Sequence, residues 1–330
     1  MSNLQWSELQ PSDFDAVKHL AEVCLRQDGG LPDLLDDAHI RRYFFGDETI
    51  AGRDELGELV AVASLSYDEA GNRLASGLVH PSFRRQGHGE ELVNWARSKA
   101  PAMHFKVVAE TMSPEAESLF ASSGLRRTFA EKVMRHDLTH ISRIPLPPGV
   151  TTKPFTDETA HDFYVAFHES FSDTPGFTET TEEEWLADLT NDPDIRPETS
   201  RVAYSRGGAP IGLVTVSANW IDQVGVVPTW RGHRIGAHLV VRTLTALKES
   251  GSDSAWLTVN VNNPSFELYK RLGFKVYGTR ARYEDRIVHL PDDEVEPSGT
   301  EQPPLEVLPE GVTAGTEQSA ERPEPMAPGA

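Results

Sequence analysis

Val226-Val227-Pro228-Thr229-Trp230-Arg231-Gly232-His233-Arg234-Ile235-Gly236-Ala237, in the second half of the chain, rewrites Val79-His80-Pro81-Ser82-Phe83-Arg84-Arg85-Gln86-Gly87-His88-Gly89 in the first. Each copy is an apolar strand pattern, a proline, a basic turn containing glycine, and then an amphipathic helix pattern. A second pair of matching segments follows downstream, Ser118-Leu119-Phe120-Ala121-Ser122-Ser123-Gly124-Leu125 and Glu267-Leu268-Tyr269-Lys270-Arg271-Leu272-Gly273-Phe274. Ser12-Asp13 corresponds to Thr156-Asp157, Pro81 to Pro228 and Gly124 to Gly273, so the offset stays near one domain length. A repeat of that period decides the architecture before any single residue is interpreted. The chain of 330 residues then reads as two domains of ~150 residues, each able to bury about two-thirds of its unfolded surface.

The organisation expected is a first domain at 1–141, a linker at 142–149, a second domain at 150–290 and a tail at 291–330. In the first domain the pattern predicts a strand at Gln5–Leu9, a helix capped by Ser12, and a hairpin of Glu58–Ser66 with Leu74–His80. A helix then opens near Glu90. In the second it predicts a strand at Val150–Lys153, a helix capped within Thr156–Thr159 and a wide acidic loop from Ser172 to Ser200. Strands follow at Arg201–Ser205, Ile211–Ser217 and Trp220–Val227, then a helix at Gly232–Ser250. The order closes with a strand at Ala255–Val261, a helix at Ser265–Arg271 and a strand at Lys275–Tyr283. Pro145, Pro147 and Pro148 stiffen the linker and remove backbone donors. Beyond Leu290 ten acidic residues stand against one arginine, Arg322, and apolar residues are sparse. Such a segment cannot bury enough surface to offset its ordering entropy, and it reads as a disordered acidic tail.

A net charge of −20 argues against the basic face that nucleic acid requires. It is compatible with a cationic amine substrate and equally with a surface charged for solubility. One cysteine, Cys24, permits no internal disulfide and points to a reducing compartment. The first residues carry neither a basic nor an apolar leader segment. No apolar run approaches the ~20 residues of a membrane span. The expectation is a cytoplasmic protein without membrane or nucleic-acid partners, its oligomeric state open. The histidines form no H-x-x-x-H pair or Cys/His cluster, so no metal is expected, and no G-x-S-x-G nucleophile turn is present.

A strand that runs through a glycine turn directly into a helix brings backbone amides and a positive dipole end close to a ligand, a combination suited to pyrophosphate. The pattern [RQ]-x-x-G-x-[GA] at that turn, with the later Asn262-Asn263-Pro264-Ser265-Phe266-Glu267-Leu268-Tyr269, resembles the acetyl-CoA signature and closing motif of the GNAT acyltransferase superfamily. The tandem arrangement, with Ala166–Asp173 and Glu184-Trp185 in the second copy, is similar to the mycothiol synthase branch. The resemblance implies an α/β fold with a mixed sheet in each of two domains, flanked by helices and holding a splayed strand pair. It also implies acetyl-CoA as co-substrate, transferred directly to a primary amine of a small molecule.

The resemblance further implies main-chain contacts to the pantetheine arm from Val224, Gly225 and Val226. Pyrophosphate would lie over Arg231, Gly232, His233, Arg234, Ile235, Gly236 and Ala237, Asn262 would contact the cofactor, and Tyr269 would protonate the departing thiolate. A phenol of pKa ~10 holds its proton at neutral pH and can donate to a thiolate of similar basicity. In the first copy Phe120 replaces the tyrosine and Ser113 the asparagine, so chemistry is expected in the second domain. A second CoA site would use Val79, Arg84, Arg85, Gln86, Gly87, His88 and Gly89. Arg234 stands where the second copy should have its first motif glycine, and it can offer its amide if its φ is negative. The glutamate that many members carry as base corresponds to Trp220. Asp222, two residues on and expected on the same strand face, is the local candidate, with Glu169, Asp173 or a water relay as alternatives. Rival readings are acetylation of a protein amine or an aminoglycoside, and a non-catalytic CoA-binding protein.

Overall fold

The structure is a computed structural model that describes residues 3–67, 73–99, 105–174 and 177–285. Contacts divide it into two units, one formed by 3–132 together with 278–285, the other by 133–277.

In the first unit, β1 (Gln5–Ser7), β2 (Glu48–Arg53), β3 (Leu59–Tyr67) and β4 (Arg73–Val79) are neighbours in order, each antiparallel to the next. β4 pairs in parallel with β5 (Phe105–Ala109). Helix α1 (Phe14–Asp28) buries Val17, Leu20, Ala21, Cys24 and Leu25, a helical spacing that packs one face on the sheet. It stops at Gly29, whose N–H donates to the Leu25 carbonyl. Ser12 does not cap it. Pro11–Asp13 forms a single 3-10 turn, and the Gln10 N–H donates to Asp13 Oδ2 at 2.8 Å. Helix α2 (Asp37–Phe44) and strand β2 carried no expectation. Helix α2 spans only eight residues, too few for periodicity to stand out, yet it buries Ile40, Tyr43 and Phe44. Helices α3 (His88–Lys99) and α4 (Pro114–Ser122) lead to strand β6 (Leu125–His136).

The second unit holds β7 (Thr151–Pro154), α5 (Ala160–Phe171), α6 (Glu182–Asn191), β8 (Arg201–Tyr204), β9 (Pro210–Ser217), β10 (Trp220–Val226), α7 (Ile235–Glu249), β11 (Ala255–Asn260) and α8 (Ser265–Arg271). Its strand order is β6-β11-β10-β9-β8-β7. Under α7 a core gathers Val214, Val216, Ile221, Leu239, Leu244, Leu257 and Tyr269. On the opposite face α5 and α6 close over Val202, Tyr204 and Leu213 with Phe163, Phe167 and Trp185. Helix α6 corrects the expected loop. Thr181 Oγ1 accepts from the Glu184 N–H at 3.3 Å, and Glu184 Oε2 accepts from the Thr181 N–H at 3.0 Å. This reciprocal capping box starts a helix that Trp185 anchors in the core. The T-x-x-E signature was legible but was masked by the run of acids.

Two expected boundaries differ from the observed division. The final strand β12 (Lys275–Asp285) passes at Gly278 into the first unit, where Ala281 lies opposite Ala109 of β5. Strand β6 passes after Lys132 into the second unit. The proline-rich segment is no free spacer. Ile144 and Leu146 pack on the core under α7, and the Ile144 carbonyl accepts from His238 Nδ1 at 2.6 Å. The expected tail lies outside the described residues.

Candidate active site

Each unit opens a cleft by letting two parallel strands part. Strand β10 pairs with β11 only at Trp220–Trp256, so its edge from Asp222 to Val226 faces no strand on that side. Strand β4 pairs with β5 from Arg73 to Ala75 and is likewise free from Ser76 to Val79. The other edge of β10 is held by β9, with Gly225 opposite Leu213 and Val226 opposite Gly212. Main-chain groups without a strand partner along a parted edge suit an extended amide-bearing ligand.

At the end of that edge lies the basic turn. No main-chain N–H from Gly232 to Ala237 finds an acceptor among the described residues. These amides crown the N-terminus of α7, a ready cradle for an anion, and the turn at Arg84–Gly89 leads into α3 in the same way. Both turns need the left-handed region at the same two positions. The first has Arg85 at φ 59° and Gly87 at φ 98°, the second Gly232 at φ 80° and Arg234 at φ 64°. The negative φ on which the Arg234 amide was made conditional is therefore absent, but Gly87 at the matching position also takes a positive φ, so αL does not withdraw the amide. The turn forces αL there, and an arginine in αL carries ~1–2 kcal/mol of strain. Arg234→Gly should stabilise the second unit by up to ~1 kcal/mol, after the extra freedom glycine brings to the unfolded chain. Urea unfolding reads this directly. A lower midpoint would show that the arginine side chain holds the turn.

The leading arginines do not point at a ligand. Arg231 makes two bonds to Asp173, at 2.7 and 2.8 Å, and reaches the Ser170 and Val226 carbonyls. Arg84 does the same with Asp28, at 2.9 and 2.6 Å, and with the Val79 carbonyl. Both therefore clamp the turn to the end of the unit's first helix. The hydrogen bonds from Arg231 hold Asp173 below the usual carboxylate range, which makes it a weak base. Asp28 and Asp173 occupy matching places in the two copies, a pairing the repeat itself carries. The His88 ring is buried against Trp6 and Glu91, and the Ile235 side chain is in the core, so both can serve a ligand only through their backbones. His233 turns its ring back to the Arg231 carbonyl, and Gln86 reaches the Ser82 carbonyl.

Asp222 sits in a β-bulge, because the register with β9 shifts between Ile221 and Gln223. A bulge breaks the alternation of faces, so spacing alone does not put Asp222 on the face of Trp220. Glu169 is exposed on α5. Tyr269, on α8, is only 8% exposed and its ring meets Phe274. It shares the core with Val224 and Val226 of β10 and Val259 of β11. Its hydroxyl makes no hydrogen bond among the described residues, and burial pushes its pKa up to about 12. In the first unit Phe120 packs on Tyr283 at 4.7 Å. Asn262 is exposed, whereas Ser113 is spent capping α4 through the Ala116 N–H.

A cavity of about 390 Å³ occupies the first unit's cleft, lined among others by Val79, Arg85, Gly87, Gly89, Val107 and Phe120. Cys24 also lines it, with its thiol pushed up to about 11, mainly by burial. In the second unit a Cβ on Gly236 would stand 3.3 Å from Val226 and 3.9 Å from Val224. A larger side chain there would enter the parted edge. Among the described residues no three His, Cys, Asp or Glu side chains gather as a metal site, and no helix is long and apolar enough to cross a membrane.

Two parted strand pairs, each ending in a basic turn at a helix N-terminus, define a tandem acyl-CoA-type transferase architecture. The Acetyltransferase (GNAT) family model matches residues 7–123 and again 160–274, and the chain belongs to that family. It is an acyltransferase. It is 30% identical over 296 residues to a mycothiol acetyltransferase of Thermomonospora curvata, covering 85% of this chain and 96% of that one. A mycothiol acetyltransferase of Saccharomonospora viridis is 26% identical over 312 residues, covering 86% and 99%. Among solved structures, a GCN5-related N-acetyltransferase from Sphaerobacter thermophilus superposes with a TM-score of 0.65 at 25% identity, covering 86% of this chain and 95% of that one.

Proposed function

We propose that the second unit transfers an acetyl group from acetyl-CoA to a primary amine of a small molecule, directly and without an acyl-enzyme. The observation that carries this reading is Tyr269. It is the only hydroxyl at the two equivalent closing positions, it is protonated at neutral pH, and it has no acceptor among the described residues. The free amides from Gly232 to Ala237 would hold the pyrophosphate, with the clamped Arg231 shaping the turn rather than binding. The free edge of β10 would hold the pantetheine arm at Val224, Gly225 and Val226, Asn262 would contact the cofactor from its exposed position, and a β10 main-chain N–H would face the developing oxyanion. The amine attacks the thioester carbonyl, the C–S bond breaks, and Tyr269 supplies the proton to sulfur. The proton lost by the amine passes to Asp222 at the bulge or to water. The likeness to mycothiol acetyltransferases favours a small acceptor.

The cavity at the first unit's turn favours a second acyl-CoA site there, without turnover because Phe120 has no proton to give. Calorimetry with acetyl-CoA should then show two binding events per chain. Gly236→Glu should remove one event together with turnover. Gly89→Glu should remove the other and spare turnover. Unchanged binding in a folded Gly236→Glu variant would exclude the second-unit site.

A further inference from the structure

A row of side chains on one face of the second unit has no role in the reading above. On β11, Ala255, Leu257 and Val259 point into the core under α7, so the alternation turns Trp256 to the opposite face. Trp220 pairs with Trp256 in register and stacks on it, with centroids 5.7 Å apart and planes 28° apart. The Tyr277 ring meets Trp256 edge-on at 4.9 Å. On β6, Met134 enters the core and Arg135 turns away from it, its guanidinium 5.6 Å from the centre of the Trp256 ring. Arg135 is exposed, Tyr277 is 39% exposed and both tryptophans are half-buried. In a chain of net charge −20, Arg135 has no carboxylate partner among the described residues.

The row begins two residues before the bulge at Asp222, where the free edge of β10 starts. It crosses two strand spacings and starts two residues short of the bulge, so ~12 Å separates the bulge from the Arg135 position on β6. Stacked indoles offer a flat apolar face to a planar ring. A guanidinium held over an indole keeps its fork free for a carboxylate. An acetyl-transfer site at one end, a ring platform between, and a cation without a carboxylate partner among the described residues at the other define one kind of acceptor.

We infer that Trp220, Trp256, Tyr277 and Arg135 form the acceptor platform, and that the acceptor carries a primary aliphatic amine on a side chain of an aromatic ring that also bears a carboxylate. This rests on the proposed transfer reaction. The test compares 4-(aminomethyl)benzoate with benzylamine, following CoA thiol release. The wild type should favour the carboxylate by at least about tenfold in kcat/KM, the scale of one hydrogen bond to a charged group. Arg135→Gln should erase that preference through KM with kcat kept, and Arg135→Lys should restore part of it. An independent reading needs no turnover. Without acetyl-CoA, 4-(aminomethyl)benzoate should quench tryptophan fluorescence in the wild type and fail to do so in Arg135→Gln. Quenching without thiol release from either amine would support the platform and overturn the transfer reaction. Equal kcat/KM for the two amines, or a preference untouched in Arg135→Gln, would overturn the platform while leaving the transferase intact.

Discussion

Tyr269→Phe should lower kcat about a hundredfold with little change in KM, the usual scale for a positioned acid. The substitution removes one oxygen from a ring that is otherwise core, packed near Phe274 and beneath α7. Stability should therefore hold, and the loss should fall on the chemical step alone. Burial places the hydroxyl's pKa at about 12, so the group stays protonated through the whole neutral range. An alkaline fall in rate below about pH 10 would belong to another group. The first unit supplies the internal control. Phe120 is half-buried beside its cavity with its ring tilted against Tyr283, so changing it should alter that cavity and leave the rate per folded molecule nearly unchanged. Near-normal turnover by steady-state thiol release in Tyr269→Phe would remove the general acid.

Most of this fold was legible because the chain repeats itself. The paired turns located both clefts, and alternation located β3, β9 and β11 within a residue or two. What failed had local causes. The capping box of α6 lay inside an acidic run, and α2 was too short to show a period. The bulge at Asp222 is a register fault that no spacing rule reveals. At the site, the motif located the amides correctly but not the side chains. Arg84 and Arg231 read as phosphate ligands until their carboxylates, far away in sequence, were seen beside them. Arg234 read as a tolerated glycine replacement until its φ was known. Nor could the repeat announce that β12 finishes in the first unit, because both copies have a final strand and only its partners tell them apart.

Those partners are ionic and buried, and they set up the second large effect. Within the first unit Arg282 donates to Glu110 at 2.7 Å, Arg280 bonds Glu131 at 2.8 Å, and Arg97 bonds Asp285 at 2.8 Å. All four residues of the Arg280–Arg282–Glu110–Glu131 cluster are at most 9% exposed. Removing one partner leaves an uncompensated charge, so Glu110→Ala should destabilise the first unit by ~3–5 kcal/mol, whereas replacing both Glu110 and Arg282 by apolar residues should cost far less. The pH dependence follows from the same group. Burial alone would raise the Glu110 pKa, but the guanidiniums of Arg282 and Arg280 outweigh it and the pKa falls below its ordinary 4.5. Its stabilisation is therefore complete above that value and is lost as pH falls through the lower folded pKa. Ending the chain at Tyr277 removes both arginines and the strand beside β5, and should unfold the first unit. Ending it at Asp285 keeps every one of these pairs and should leave the first unit folded. Equal stability of the two truncations, measured by urea unfolding, would show that the strand exchange is dispensable.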